Sequence, residues 1–246
     1  MTTDAHHRTA RGDSPRRRLG ELGLGLVPLA AAAGATARWC TLPTSYLLLA
    51  LALYAVLAVF LYRRIPPGPH ASLGPANQVT LARAGLVLAL TAGVPYVLAS
   101  TETGAWWIIA VATVALVMDG IDGQVARRTA SATPFGARFD MELDSLLMLV
   151  LAALVWRSGR VEIWVVLLGL PRYVFIAAGA LWPWLRAPLP ERFRRKAGCV
   201  MQGVALLIAL GPIIPLPLAA LVAATALALL VSSFLIDVAW LWREAR

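Results

Sequence analysis

The sequence predicts an all-α protein, a polytopic transmembrane helical bundle, and three observations carry that prediction. Hydrophobic residues make up 59% of the chain and its mean hydropathy is +0.73. Charged residues make up only 14%, against about a quarter in an average soluble domain. Eight segments are apolar enough to approach the roughly 20 residues that a helical span needs: 21–37, 44–62, 79–99, 106–126, 138–156, 161–184, 198–212 and 215–242. The first and seventh are short or interrupted by Gly and Pro, which suits a tilted or re-entrant segment. Cys40 and Cys199 lie far apart with no CxxC or Cys/His cluster, so neither a disulfide framework nor a zinc site is indicated.

Taken in order, residues 1–20 form a polar, basic segment without a long apolar core or a small-residue cleavage site. They read as a retained cytoplasmic tail and not a signal peptide, with His6 and His7 solvated in it. Residues 21–62 form an N-terminal transmembrane hairpin of two helices. Residues 63–76, RRIPPGPHASLGPA, contain four prolines and read as a semi-rigid linker, because proline cannot continue a helix. Residues 77–246 form a six-helix core, with no internal repeat of the kind a duplicated transporter would show. Trp106, Trp107, Trp182, Trp184, Trp240 and Trp242 fall at predicted span ends, as interfacial anchors do.

The net charge of +9 is best read by position, because cytoplasmic loops collect Lys and Arg. With both termini inside, the tail, Arg63, Arg64, Arg127, Arg128, Arg138, the 186–196 run, Arg243 and Arg246 are all cytoplasmic. The opposite side keeps only Arg38, Arg157 and Arg160. The expectation is a multi-pass protein of the plasma or inner membrane, with residues 119–144 at the cytoplasmic face.

That stretch, DGIDGQVARRTASATPFGARFDMELD, gathers four aspartates and a glutamate. Asp119 and Asp122 close the fourth predicted span, and Asp140 and Asp144 open the fifth, so each pair projects from one helix face. Converging carboxylates repel unless neutralised, and hard divalent cations such as Mg²⁺ are the usual partners. An acid inside or beside a span is a functional hypothesis by default. Glu142 is offset from the Asp140–Asp144 face and reads as a surface residue. Gly123 and Ala126 clear one helix face, Gly136 permits close approach, and Arg127 can offer a planar fork to phosphate oxygens.

Asp119, Asp122, Gly123, Ala126, Arg127, Gly136, Asp140 and Asp144 together fit the pattern D-x2-D-G-x2-A-R-x8-G-x3-D-x3-D. It resembles the signature of the CDP-alcohol phosphatidyltransferases in full. The resemblance implies a six-helix membrane core over residues 77–242, with the signature on its second and third helices. It leaves the hairpin outside. PANQVTLARAG resembles the segment that opens the core in that family, with Ala76 inserted between Pro75 and Asn77. By resemblance, Asn77 and Thr80 line the nucleotide pocket and Thr133 contacts the diphosphate. For Thr80 and Arg83 an ordinary interfacial helix start with a snorkelling arginine stands as the alternative.

The resemblance further implies two divalent ions, Mg²⁺ or Mn²⁺. Asp119, Asp122 and Asp140 would hold one, and Asp119, Asp140 and Asp144 the other. Asp144 would also take the proton of the acceptor hydroxyl as catalytic base. The implied reaction moves a phospho-group, phosphatidyl when the CDP-alcohol is CDP-diacylglycerol, to a small hydroxylated acceptor and releases CMP. The implied enzyme works on membrane lipids without nucleic acid, and such proteins often form homodimers.

The acceptor is less legible. RFRRKAGCVMQ, residues 192–202, resembles a basic acceptor-side segment of phosphatidylglycerophosphate and phosphatidylinositol-phosphate synthases, but Arg195 and Gly198 depart from its glycine and second lysine. Arg138, Arg172, Arg195 and Lys196 are the candidate grips for an acceptor phosphate, while the 192–196 run also suits plain positive-inside or anionic-lipid contact. Arg172 lies mid-span, where a charge needs a partner; a place at the active-site cavity or a pair with Asp237 would supply one. Two other functions stand beside the main one: transfer of a head group from CDP-choline or CDP-ethanolamine onto a lipid, and divalent-cation transport through the aspartates. Transport accounts for the acids but not for Gly123, Ala126, Arg127 and Gly136.

Overall fold

The computed structural model describes residues 20–64, 74–99, 101–129, 133–186 and 193–244, without the side chains of 74–76, 97–99, 122–129, 134, 183, 186 and 193–196. The basic tail with His6 and His7, and most of the proline-rich linker, lie outside the described residues. So do the side chains of Asp122, Gly123, Ala126, Arg127, Arg195 and Lys196.

Among the described residues every regular element is helical. The α-helices are α1 (Leu26–Trp39), α2 (Thr44–Arg64), α3 (Gly74–Gly93), α4 (Glu102–Thr129), α5 (Pro134–Arg157), α6 (Pro171–Leu181), α7 (Phe193–Leu210) and α8 (Leu216–Glu244). Short 3₁₀ segments cover Val94–Ala99, Ile163–Leu168 and Pro183–Arg186. Among the described residues, five stretches are long and apolar enough to cross a membrane: Gly20–Trp39, Thr44–Arg64, Asn77–Tyr96, Glu102–Ile121 and Leu216–Glu244. Ala197–Leu210 is a shorter apolar helix. The protein is a membrane-embedded helical bundle.

Its outer surface fits that solvent. Leu48, Leu51, Val56 and Val59 on α2, and Leu221 and Leu235 on α8, are exposed. Lipid tails accept such faces, while backbone polar groups must be satisfied within the protein.

The chain divides into two compact units. One comprises residues through Tyr96 together with Ala110–Leu143, and the other Val97–Ile109 together with Asp144–Arg246. In the first unit α1, α2 and α3 pack on one another. The Tyr54 hydroxyl donates to the Leu22 carbonyl, and the Tyr46 hydroxyl donates to the Ala89 carbonyl at 3.0 Å. Two starts follow from local chemistry. Thr101 Oγ1 accepts from the Gly104 N–H at 3.1 Å and caps α4, and Thr133 Oγ1 accepts from the Gly136 N–H at 2.9 Å and caps α5. Both satisfy amide groups that a helix start leaves open, and Pro134 supplies the preset backbone angle of a first helical residue.

In the second unit the expected sixth span over 161–184 is not one continuous helix. It divides into Ile163–Leu168, α6 and Pro183–Arg186. Pro171 and Pro183 bring no amide hydrogen to a continuing ladder, and Gly169 presses so closely on Leu149 that a Cβ there would lie 2.3 Å from the Leu149 Cα. The break frees the Leu168 carbonyl, which accepts a hydrogen bond from buried Gln202 Nε2 on α7. A second repair lies in the 158–162 turn, where Arg160 Nε donates to the Ala209 carbonyl at 2.6 Å and Nη2 donates to the Ile214 carbonyl. Burial pulls the Arg160 pKa below its ordinary value, yet an arginine remains charged there.

Candidate metal centre

The site is assembled on three helices. α3 runs through an apolar stretch and carries Arg83, whose side chain is 0% exposed and the largest fully buried one among the described residues. A buried guanidinium demands anionic partners, and two are present. Nη1 donates to Asp119 Oδ1 about two-thirds of the way along α4, and Nη2 donates to Asp140 Oδ1 in the second turn of α5. The carboxylates themselves are 42% and 35% exposed. Arg83 therefore forms the floor beneath two acids that open outward.

Asp144 follows Asp140 by one turn, so the continuous α5 helix itself sets it on the same face. Asp119, Asp140 and Asp144 each offer a carboxylate oxygen, and these oxygens lie within 4.8 Å of one another. Among the described residues the donors gathered here are three carboxylates, two of them paired with the Arg83 guanidinium. An all-oxygen, partly open carboxylate donor set suits a hard divalent cation. The residues present fit the metal that the sequence implies.

One turn and two turns before Arg83, Thr80 and Asn77 are buried on α3. The space left by the missing side chain of Gly136 is filled by Asn77, since a Cβ on Gly136 would lie 2.3 Å from Asn77 Oδ1 and 3.1 Å from Thr133 Oγ1. The start of α3 and the first turn of α5 thus meet directly, with Thr133 as cap between them.

These helices and spacings occur over residues that the family model for CDP-alcohol phosphatidyltransferase matches, 73–235. The chain belongs to the CDP-alcohol phosphatidyltransferase family. It is accordingly a transferase of phospholipid biosynthesis that transfers a phospho-group from a CDP-alcohol. Neither a curated protein nor a solved structure matches it. The N-terminal hairpin falls outside the matched range.

Other residues singled out in the sequence are distributed as follows. Glu142 and Arg138 are exposed on α5. Arg172 is the second residue of α6 and half-buried, and Asp237 is buried in α8. Gln202, which the acceptor-side resemblance includes, is occupied by the Leu168 carbonyl. Arg83 is the residue that sequence reasoning underrated. It is no snorkelling side chain, and the signal was available: an arginine inside an apolar run needs a partner, the same argument that drew attention to Arg172.

Proposed function

We propose that this protein transfers the phosphatidyl group of CDP-diacylglycerol to the hydroxyl of a small acceptor and releases CMP. The observation that carries this reading is the convergence of Asp119, Asp140 and Asp144 within 4.8 Å in a chain of this family.

In this account Asp119, Asp122 and Asp140 hold one divalent cation, and Asp119, Asp140 and Asp144 a second, Mg²⁺ or Mn²⁺. When bound, such ions neutralise the diphosphate and stabilise CMP as a leaving group. The remaining work falls to the chain. Asn77, Thr80 and Thr133 hold the nucleotide and diphosphate, Gly123 and Ala126 leave room for them, Gly136 admits the Asn77 side chain, and Arg127 pairs with phosphate oxygens. Asp144 accepts the proton of the acceptor hydroxyl. The acceptor oxygen forms its bond to the β-phosphorus as the bond from that phosphorus to the CMP oxygen breaks, so one ester replaces one anhydride. Arg83 keeps Asp119 and Asp140 at one spacing throughout.

Arg138, Arg172, Arg195 and Lys196 are assigned to an acceptor phosphate. The distribution of Lys and Arg supports placing the site and both termini at the cytoplasmic face of the plasma or inner membrane. A homodimer is the proposed assembly.

The test is CMP release by purified protein with Mg²⁺ or Mn²⁺. CDP-diacylglycerol is supplied with glycerol 3-phosphate, inositol phosphate, inositol or serine, beside CDP-choline and CDP-ethanolamine with diacylglycerol. CMP with CDP-diacylglycerol and one soluble acceptor supports the proposal. CMP only with the soluble donors assigns a head-group transferase, and no CMP together with metal flux in liposomes assigns a transporter.

A further inference from the structure

The hairpin outside the family match touches the helix that carries Arg83. On α3, Leu81, Gly85, Ala89 and Gly93 recur every fourth residue and form one ridge. A Cβ on Gly85 would lie 2.9 Å from the Gly25 carbonyl oxygen and 3.0 Å from the Leu29 nitrogen, both backbone atoms of the hairpin. A Cβ on Gly25 would in turn lie 2.8 Å from Leu81 and 2.2 Å from the Tyr54 hydroxyl. Higher up the ridge, Tyr46, which is 0% exposed, donates to the Ala89 carbonyl at 3.0 Å.

Gly85 follows Arg83 by two residues, which is a rotation of about 200° around a helix of 3.6 residues per turn. Arg83 and the hairpin therefore occupy nearly opposite faces of α3. Pressure on one face sets the reach of the side chain on the other, because close-packed interiors transmit displacement.

We propose that the N-terminal hairpin is a positioning element of the metal centre. Seated backbone to backbone on Gly85, it holds α3 at the depth from which the Arg83 guanidinium spans Asp119 and Asp140. Gly85 is the positioning residue, since any side chain there drives the two backbones apart. The proposal rests on the reading of Asp119, Asp140 and Asp144 as a cation site.

The experiment measures Mn²⁺ affinity and thermal unfolding of the full-length protein in detergent, for wild type, Gly85→Ala, Gly85→Val, Tyr46→Phe and Val56→Ala. Val56 is exposed on the outer face of α2 and serves as control. Gly85→Val is expected to weaken Mn²⁺ binding about tenfold, the scale on which groups behind metal ligands act. Gly85→Ala and Tyr46→Phe follow in the same direction with smaller losses, and Val56→Ala leaves affinity unchanged. Gly85→Ala and Tyr46→Phe decide the question if Gly85→Val does not fold. Lower unfolding temperatures with unchanged or tighter Mn²⁺ binding overturn the proposal, because they mark the hairpin as a structural prop alone. Failure of the wild type to bind Mn²⁺ overturns the cation-site reading itself.

Discussion

Arg83 and Asp119 stand 36 residues apart in the chain and form an ion pair in which the guanidinium is wholly buried while the carboxylate is 42% exposed. The asymmetry sets the consequences of substitution. Removing the cation leaves Asp119 and Asp140 facing each other over an emptied floor. Removing either acid takes a charged partner from a wholly buried guanidinium.

Arg83→Leu should destabilise the protein by about 3 kcal/mol, the lower end of the range for breaking a buried pair, because both acids are partly open to screening. Arg83→Lys keeps the charge but not the fork that reaches two carboxylates, so its unfolding temperature should fall between wild type and Arg83→Leu. Equal temperatures for Arg83→Lys and wild type would remove the bridging role.

Gly136→Ala should displace Asn77, whose Oδ1 would lie 2.3 Å from the new methyl. Overpacking of this kind costs about 1–3 kcal/mol, and CMP formation should fall with it. Since the conflict is pairwise, Asn77→Ala combined with Gly136→Ala should cost less stability than the two single changes added together. Strict additivity would mean that the close approach does not exist in the folded protein.

Gln202→Leu should orphan the Leu168 carbonyl at the break before α6 and cost about 1–3 kcal/mol. Its effect should appear in thermal unfolding, with the KM for the acceptor unchanged in the folded fraction. A raised acceptor KM at wild-type stability would return Gln202 to the acceptor site.

Much of this arrangement was legible in the sequence, and the limits are physical. Hydropathy marked the helices because a span must be apolar along its length, and the Asp119–Asp144 spacing marked the acids because helical periodicity sets their faces. That Arg83 needs a partner was legible, but which partners it has was not, because they lie 36 and 57 residues away. Hydropathy could not show that the 161–184 segment is broken, since Ile163–Leu168 and most of α6 are both apolar. The prolines and Gly169 were the available signs, and the repair by Gln202 is a contact over 34 residues. The grip of Gly85 on Gly25 was out of reach, because a glycine alone does not announce which backbone it admits.

Thr133→Ala should lose the cap on α5 at a cost of about 0.5–2 kcal/mol, and Thr133→Ser should retain it. If the hydroxyl serves only the cap, CMP formation by the folded fraction is unchanged in Thr133→Ala. The proposed contact with the diphosphate predicts a raised KM for the CDP-alcohol that Thr133→Ser restores.

The most direct measurement compares CMP formation from CDP-diacylglycerol by wild type and Asp144→Asn, with donor binding followed in the same preparations. CMP is expected from the wild type only when Mg²⁺ or Mn²⁺ is supplied, and Asp144→Asn should lose turnover while retaining donor binding. Wild-type turnover in chelator, or full activity in Asp144→Asn, would contradict the proposed mechanism.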